Sequence, residues 1–152
     1  MTIAFAVEEF APFLTEAQAL FQAHFREIAP YQDLLTINPD VAAYLAMEKA
    51  GRLVVVTARD DGVLVGYFVM FVHKHLHYSD TIIANEDGKF IHAAHRGGTG
   101  MKLIKYAEQI ARSRGAKLMV QRSKAKSEHG ALYERMGYSL LDEVYIKRLD
   151  EE

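Results

Sequence analysis

A glycine-rich run, HRGGTG from His95 to Gly100, lies between a strand-like stretch and a helix-like stretch. Residues 89–93 have the composition of a strand, and residues 101–110 carry apolar side chains at helical spacing. A glycine-rich turn that opens a helix directs unpaired backbone N–H groups and the positive end of the helix dipole at one point. The run therefore predicts an anion site that suits a phosphate or pyrophosphate.

The rest of the chain alternates between helical and extended patterns, which predicts a mixed-sheet α+β or α/β domain. The residues at 59–62 (RDDG) indicate a hairpin between two apolar strands. Thr15 is the expected N-cap of the first helix, and Pro30 its stop. We expect an N-terminal edge strand, helices over 14–28, 41–48, 101–114 and 128–136, and strands over 52–58, 63–72, 81–93 (interrupted at 85–88), 117–122 and 138–147.

Composition excludes several classes of function. A chain of 152 residues has the size of one domain, and its net charge of −2 gives no general attraction to nucleic acid or to an anionic membrane. With no cysteine, disulfides, thiolate metal ligands and a cysteine nucleophile are excluded. The first residues lack a secretory signal pattern, and the most apolar stretch, 63–72, is too short to span a bilayer. We therefore expect a cytoplasmic protein.

Two sequence motifs lie in this predicted order of strands and helices, one before the helix at 101–114 and one at the end of the helix at 128–136. The run His95-x-x-Gly98-x-Gly100 is similar to the acyl-CoA pyrophosphate loop Q/R-x-x-G-x-G/A, with histidine at the first position, and YERMGY at 133–138 matches the ending Y-x-[KR]-x-G-[FY]. Together they resemble the GNAT superfamily of acyl-CoA-dependent N-acetyltransferases, and the resemblance covers nearly the whole chain. It is especially close to small GNAT proteins of phage and prophage genomes.

The resemblance implies a fold and a co-substrate. The fold is a single GNAT-like α+β (mixed α/β) domain over 1–152, with a central, mostly antiparallel twisted sheet, a splayed parallel strand pair and about four flanking helices. Acetyl-CoA would lie with its pantetheine arm between strands 89–93 and 117–122, and no metal is expected. The implied cofactor-binding residues are Ile91, His92, Ala93, His95, Arg96, Gly97, Gly98, Thr99, Gly100, Met101, Ser127, His129 and Tyr133.

Acetyl transfer to an amine needs a base for the ammonium proton and an acid for the thiolate. In the family a carboxylate before the glycine-rich loop often acts as the base, which points to Glu86, slightly ahead of Asp87; a polar turn with both carboxylates in water is the alternative. Tyr133 is the implied acid, with core packing as its alternative role. His75 or His77 could instead be the base, since imidazole titrates near working pH. Without cysteine, direct transfer in a ternary complex is the simplest mechanism.

Two further clusters have a functional and a structural interpretation. If residues 73–77 stay extended, His73, His75 and His77 share one face, at a spacing that could bind Zn²⁺ or Ni²⁺. We expect them instead to be polar residues at a sheet end beside the acceptor groove. The basic stretch 112–126 could contact the CoA 3′-phosphate or nucleic acid, but it has no interleaved aromatics and is expected to be solvated.

The sequence thus predicts an N-acetyltransferase that moves an acetyl group from acetyl-CoA to a primary amine of a small molecule or a protein. Neither nucleic acid nor a membrane is an expected partner. Homodimers are common in the family, so a homodimer is compatible with the resemblance. The alternative is a non-catalytic acyl-CoA-binding or partner-binding module that retains the GNAT fold.

Overall fold

The computed structural model describes residues 2–124 and 129–151, which divide into two compact units, Met1–Arg122 and Ser123–Glu152. The first unit contains a five-stranded sheet in the order β1-β2-β3-β4-β5. Neighbouring strands are antiparallel except β4 and β5, which are parallel. The predicted α+β fold with a mixed sheet is therefore confirmed. The strands are β1 (Ile3–Glu8), β2 (Leu53–Asp60), β3 (Val63–Lys74), β4 (Ile82–Ile91) and β5 (Leu118–Val120).

The helices flank this sheet, and the first of them differs from the prediction. A single helix over 14–28 was expected, but the chain breaks at Ala17, which is buried and lies outside the helical region at ψ 0°. Thr15 is accordingly not a cap, because it lies inside α1 and its hydroxyl donates to the Ala11 carbonyl at 3.3 Å. Asp40 caps α3 and accepts from Ala43 N at 3.0 Å. The helices are α1 (Phe10–Glu16), α2 (Gln18–Ile28), α3 (Val41–Lys49), α4 (Thr99–Ser113) and α5 (Gly130–Arg135).

Apolar side chains fix the helices against the sheet. Phe13 on α1 and Leu20 on α2 pack in one buried cluster with Tyr67 and Val69 on β3. The amphipathic helix α4 buries its own stripe, which includes Leu103, and contacts β1 to β4. Each fully buried large side chain contributes about 1.5–3 kcal/mol. The start of α4 and the middle of β4 contain the residues that the sequence predicted for the site.

Strand β4 is continuous where an interruption at 85–88 was predicted. The register shifts between Val69 and Met70, which pair with Gly88 and Glu86 respectively. Asp87 and Gly88 therefore face the single residue Val69, which is a β-bulge. The polar sequence NEDG is accommodated by one extra residue in the strand and not by a turn, because the flanking apolar residues of β4 remain paired with β3.

The second unit begins its described helix at Gly130, and Tyr138 N donates to the Tyr133 carbonyl at 2.9 Å after the turn at Gly137. The predicted strand over 138–147 is wrong. No strand is assigned within these residues, because an extended segment becomes a strand only where a ladder of hydrogen bonds holds it. Apolar side chains of this segment, Val144 among them, are exposed. Over the described ranges, no helix is both long and apolar enough to cross a membrane.

Candidate active site

The loop before α4 presents a row of backbone donors. Gly97 and Gly98 have φ of 105° and 95°, a left-handed conformation that is costly for residues with a Cβ atom. The hydrogen-bond ladder of α4 begins with the Lys102 amide, which donates to the Gly98 carbonyl at 3.2 Å. Within the described part of the chain, the amides of residues 97–101 have no backbone acceptor. They form the positive end of a 15-residue helix.

Beyond Asn85, no described strand pairs with the edge of β4 that leads to this loop. The parallel ladder joins Ile83–Asn85 to Leu118–Val120, and β4 continues to Ile91 without further pairing to β5. On the other side, His92 N donates to Val65 on β3 at 2.8 Å. Since strand amides alternate in direction, the Ile91 N–H faces the open edge. An unpaired strand edge thus adjoins a cluster of helix N-terminal donors.

The side chains of the loop bond to the protein itself. His92 accepts from Ala94 N at 3.2 Å in a short 3₁₀ turn, Ala93–His95. His95 Nε2 lies 3.2 Å from a carboxylate oxygen of Asp60. Arg96 donates from Nε to the Ile91 carbonyl at 2.9 Å and pairs with Glu27 at 2.7 Å. The loop can therefore bind an anion chiefly through its backbone amides.

The two candidate carboxylates have opposite surroundings, and Glu86 is the buried one. Its side chain is 5% exposed and accepts from Lys89 Nζ and from Arg122 N, each at 2.9 Å. Arg122 also donates from Nη1 to the Glu86 carbonyl at 2.7 Å. Glu86 therefore joins β4 to the segment after β5, beyond the point where the ladder of the two strands ends.

Asp87, the bulge residue, is exposed and lines a cavity. The Tyr44 hydroxyl on α3 donates to Asp87 Oδ2. Burial, followed by the bond to Asp87 and its charge, raises the pKa of Tyr44, so the hydroxyl stays protonated and remains the donor. Burial and the same charge also raise the pKa of Tyr67, whose hydroxyl lies 2.6 Å from His24 Nδ1.

The cavity has a volume of about 440 Å³, is partly open to solvent, and is lined by residues of α1, α2, α3 and β3, of the segment between α2 and α3, and of the bulge. Phe10 and Tyr44 stack at 4.7 Å between ring centroids, and Phe13 and Phe21 meet Tyr67 edge to face. Phe21 and Phe25 of α2 also line the cavity. The sequence did not predict the contacts of Tyr44 or the His24–Tyr67 pair, because partners 43 residues apart leave no local signal.

The histidine stretch does not form one extended face. Strand β3 ends at Lys74, and His77 N donates to His75 Nδ1 at 3.0 Å in the turn that follows. His73 is 3.1 Å from the Asn85 side chain. A search of the described ranges found no group of three or more potential metal ligands. His77 is exposed, away from the residues that line the cavity.

The second unit holds the remaining predicted site residues. Tyr133 is 7% exposed, and its ring lies 6.1 Å from that of His129 and 5.5 Å from that of Tyr138. His129 N donates to Ser123 Oγ at 2.7 Å. Ser127 lies outside the described residues. The assignments of Tyr133, His129 and Ser127 to the cofactor remain predictions.

Comparison with solved structures shows which proteins share this fold. Ribosomal-protein-alanine N-acetyltransferase from Brucella melitensis biovar Abortus 2308 matches with a TM-score of 0.76 at 20% identity, over 98% of this chain and 99% of that one. Glucosamine-6-phosphate N-acetyltransferase from Arabidopsis thaliana matches with a TM-score of 0.73 at 12% identity, over 99% and 100%. AAC(6')-Iy in complex with the bisubstrate analogue CoA-S-monomethyl-acetylneamine matches with a TM-score of 0.68 at 14% identity, over 97% and 98%.

A search among curated proteins found no match. The family model described as an acetyltransferase (GNAT) domain matches residues 50–140, more than half of the chain. This range contains the hairpin, the bulged strand, the glycine-rich loop with α4, and the YERMGY motif. The chain belongs to the GNAT acetyltransferase family.

Proposed function

We propose that this chain transfers an acetyl group from acetyl-CoA to the nitrogen of a primary amine, directly within a ternary complex. The observation that carries the proposal is the row of unpaired amides at 97–101 beside the open edge of β4. A diphosphate fits a set of N–H donors at a helix N-terminus, and an extended arm with amide groups fits an unpaired strand edge. Acetyl-CoA, when bound, supplies the thioester.

We assign the base to Asp87. The carboxylate of Glu86 already neutralises Lys89 and accepts from Arg122 N, so protonating it would remove the only carboxylate that pairs with this mostly buried cation among the described residues. Asp87 faces a cavity able to hold an amine, and Tyr44 binds only its Oδ2. Among described groups, Oδ1 has no protein donor and is available to an ammonium.

The nitrogen loses two protons in the transfer and the departing sulfur gains one, so one proton is released overall. Asp87 takes a proton from the ammonium, since an alkylamine with a pKa near ~10 is charged at neutral pH. The neutral nitrogen forms a bond to the acetyl carbon as the carbon–sulfur bond breaks. Tyr133, assigned by resemblance, donates a proton to the departing sulfur, and the second proton that the nitrogen loses as the amide forms restores the tyrosine hydroxyl. Because the chain has no cysteine, no thiol of the protein can carry the acetyl group.

The test is thiol release from acetyl-CoA on addition of a broad panel of amines, with acetylated products identified by mass spectrometry. The cysteine-free protein contributes no thiol of its own, so each thiol detected comes from CoA. We expect release that depends on amine and enzyme. Binding of CoA without release across the panel would favour the non-catalytic module instead, and absence of CoA binding would contradict both. A protein acceptor and a homodimer remain predictions.

A further inference from the structure

The cavity beside Asp87 has a lining that restricts which amine can fill it. Its walls are aromatic and aliphatic side chains from three helices and the sheet, and it measures about 440 Å³, within the range of small-molecule sites. Ring packing fixes these walls: His24 stacks on Phe90 at 5.0 Å, and Phe13 lies edge to face with Phe21 at 5.6 Å. The cavity is therefore pre-shaped for an apolar body.

Charge in the cavity is concentrated at one point. Of the described residues that line it, Asp87 alone carries a carboxylate, and none is a lysine or an arginine. The hydroxyls of Tyr44 and Tyr67 are occupied by Asp87 and His24 respectively. One cation can therefore be bound well, at Asp87 Oδ1, with the nearby aromatic rings adding cation–π attraction.

The same lining disfavours polar acceptors. An aminosugar would bring several hydroxyl groups into a space with few free hydrogen-bond partners, and each group left unpaired lowers affinity. A polyamine would bring further ammonium groups for which the lining offers no second carboxylate. A single ammonium on a short linker to an aromatic body meets both constraints, because its charge pairs with Asp87 and its ring fills the apolar space.

We propose that the acceptor is a hydrophobic primary monoamine of the arylalkylamine class. This inference rests on the proposed function, since it names the substrate of the same site. The aromatic body lies between α1, α2 and α3, and the ammonium is held at the bulge by Asp87, with Tyr44 fixing the orientation of the carboxylate.

The experiment compares 2-phenylethylamine with glucosamine and spermidine on the full chain. Calorimetry with each amine in the absence of acetyl-CoA measures binding, and thiol release measures turnover. We expect 2-phenylethylamine to bind and to exceed both other amines in kcat/KM by about tenfold or more. Asp87→Asn should weaken its binding by about tenfold. Asp80→Asn, which removes an exposed carboxylate in the turn after β3, is the matched control and should leave binding unchanged.

The possible results separate the two proposals. If glucosamine or spermidine turns over as well as 2-phenylethylamine, or if 2-phenylethylamine does not bind, the acceptor class is wrong while acetyl transfer stands. If 2-phenylethylamine binds through Asp87 but no amine releases thiol, the cavity assignment is supported and the proposed activity fails. Circular dichroism of Asp87→Asn confirms that weakened binding reflects the lost charge and not a lost fold.

Discussion

Replacing Glu86 and Asp87 one at a time should produce opposite defects. Glu86→Ala removes the partner of Lys89, whose side chain is only 11% exposed, and the acceptor of Arg122 N. Removing one member of a buried ion pair costs about 3–5 kcal/mol. The low end applies here, because Lys89 Nζ also donates to the Arg122 carbonyl at 3.3 Å. For a domain of this size, about 3 kcal/mol lowers the Tm by about 6–12 °C.

Asp87→Ala is the matched comparison, one residue away and on an exposed side chain. It should change stability by less than about 1 kcal/mol and lower kcat/KM by about 10²–10⁴. Thermal unfolding by circular dichroism and thiol release, assayed well below the lower Tm, measure the two effects. A Glu86→Ala protein with unchanged Tm and a hundredfold loss of turnover, or an Asp87→Ala protein with full turnover, would refute the division of roles.

Three other predictions test the loop, the acid and the electrostatics. Gly100→Ala should raise stability by about 0.5–1 kcal/mol, because the residue is helical and nothing lies within 4 Å of the new Cβ. The same substitution should weaken CoA binding, measured by calorimetry, because the new methyl group crowds the diphosphate. Unchanged affinity would count against the loop as the diphosphate site. Tyr133→Phe should lower kcat by about 10²-fold or more while CoA affinity holds, and full turnover would remove Tyr133 as the acid. Hydrogen bonds from Arg59 lower the pKa of Glu8, so their stabilisation is complete above about pH 4.3 and lost as pH falls through the lowered pKa. The difference in unfolding free energy between wild type and Arg59→Gln, measured by urea titration, should therefore narrow in acid, and a difference that does not narrow would contradict this.

Local patterns in the sequence predicted most of the fold. The hairpin at 59–62 and the glycine-rich start of α4 each follow from a few neighbouring residues, and the structure contains both. The break at Ala17 could not be predicted, because residues 14–28 keep helical spacing and only packing on the sheet selects the kink. The strand expected over 138–147 failed for the same kind of reason, since alternating apolar residues do not provide a neighbour.

The candidate site also has features that the sequence predicted and features that it did not. The glycine-rich loop is continuous in sequence, so its position before α4 could be predicted, and its role as an anion site remains a prediction. Which carboxylate faces the cavity depends on a one-residue bulge, and nothing in the local sequence NEDG separates Glu86 from Asp87. The aromatic enclosure depends on contacts such as Tyr44 to Asp87, between residues far apart in the chain, so it required the folded structure.

In the proposed function, the amides at the start of α4 bind the diphosphate of coenzyme A. Amide ¹H–¹⁵N chemical shifts of the full chain, followed during titration with CoA, test it residue by residue. The largest and saturable shifts should fall on Gly97 to Met101, followed by Ile91 at the open strand edge. Saturable shifts that leave these amides unmoved, or no shift at millimolar CoA, would contradict the account.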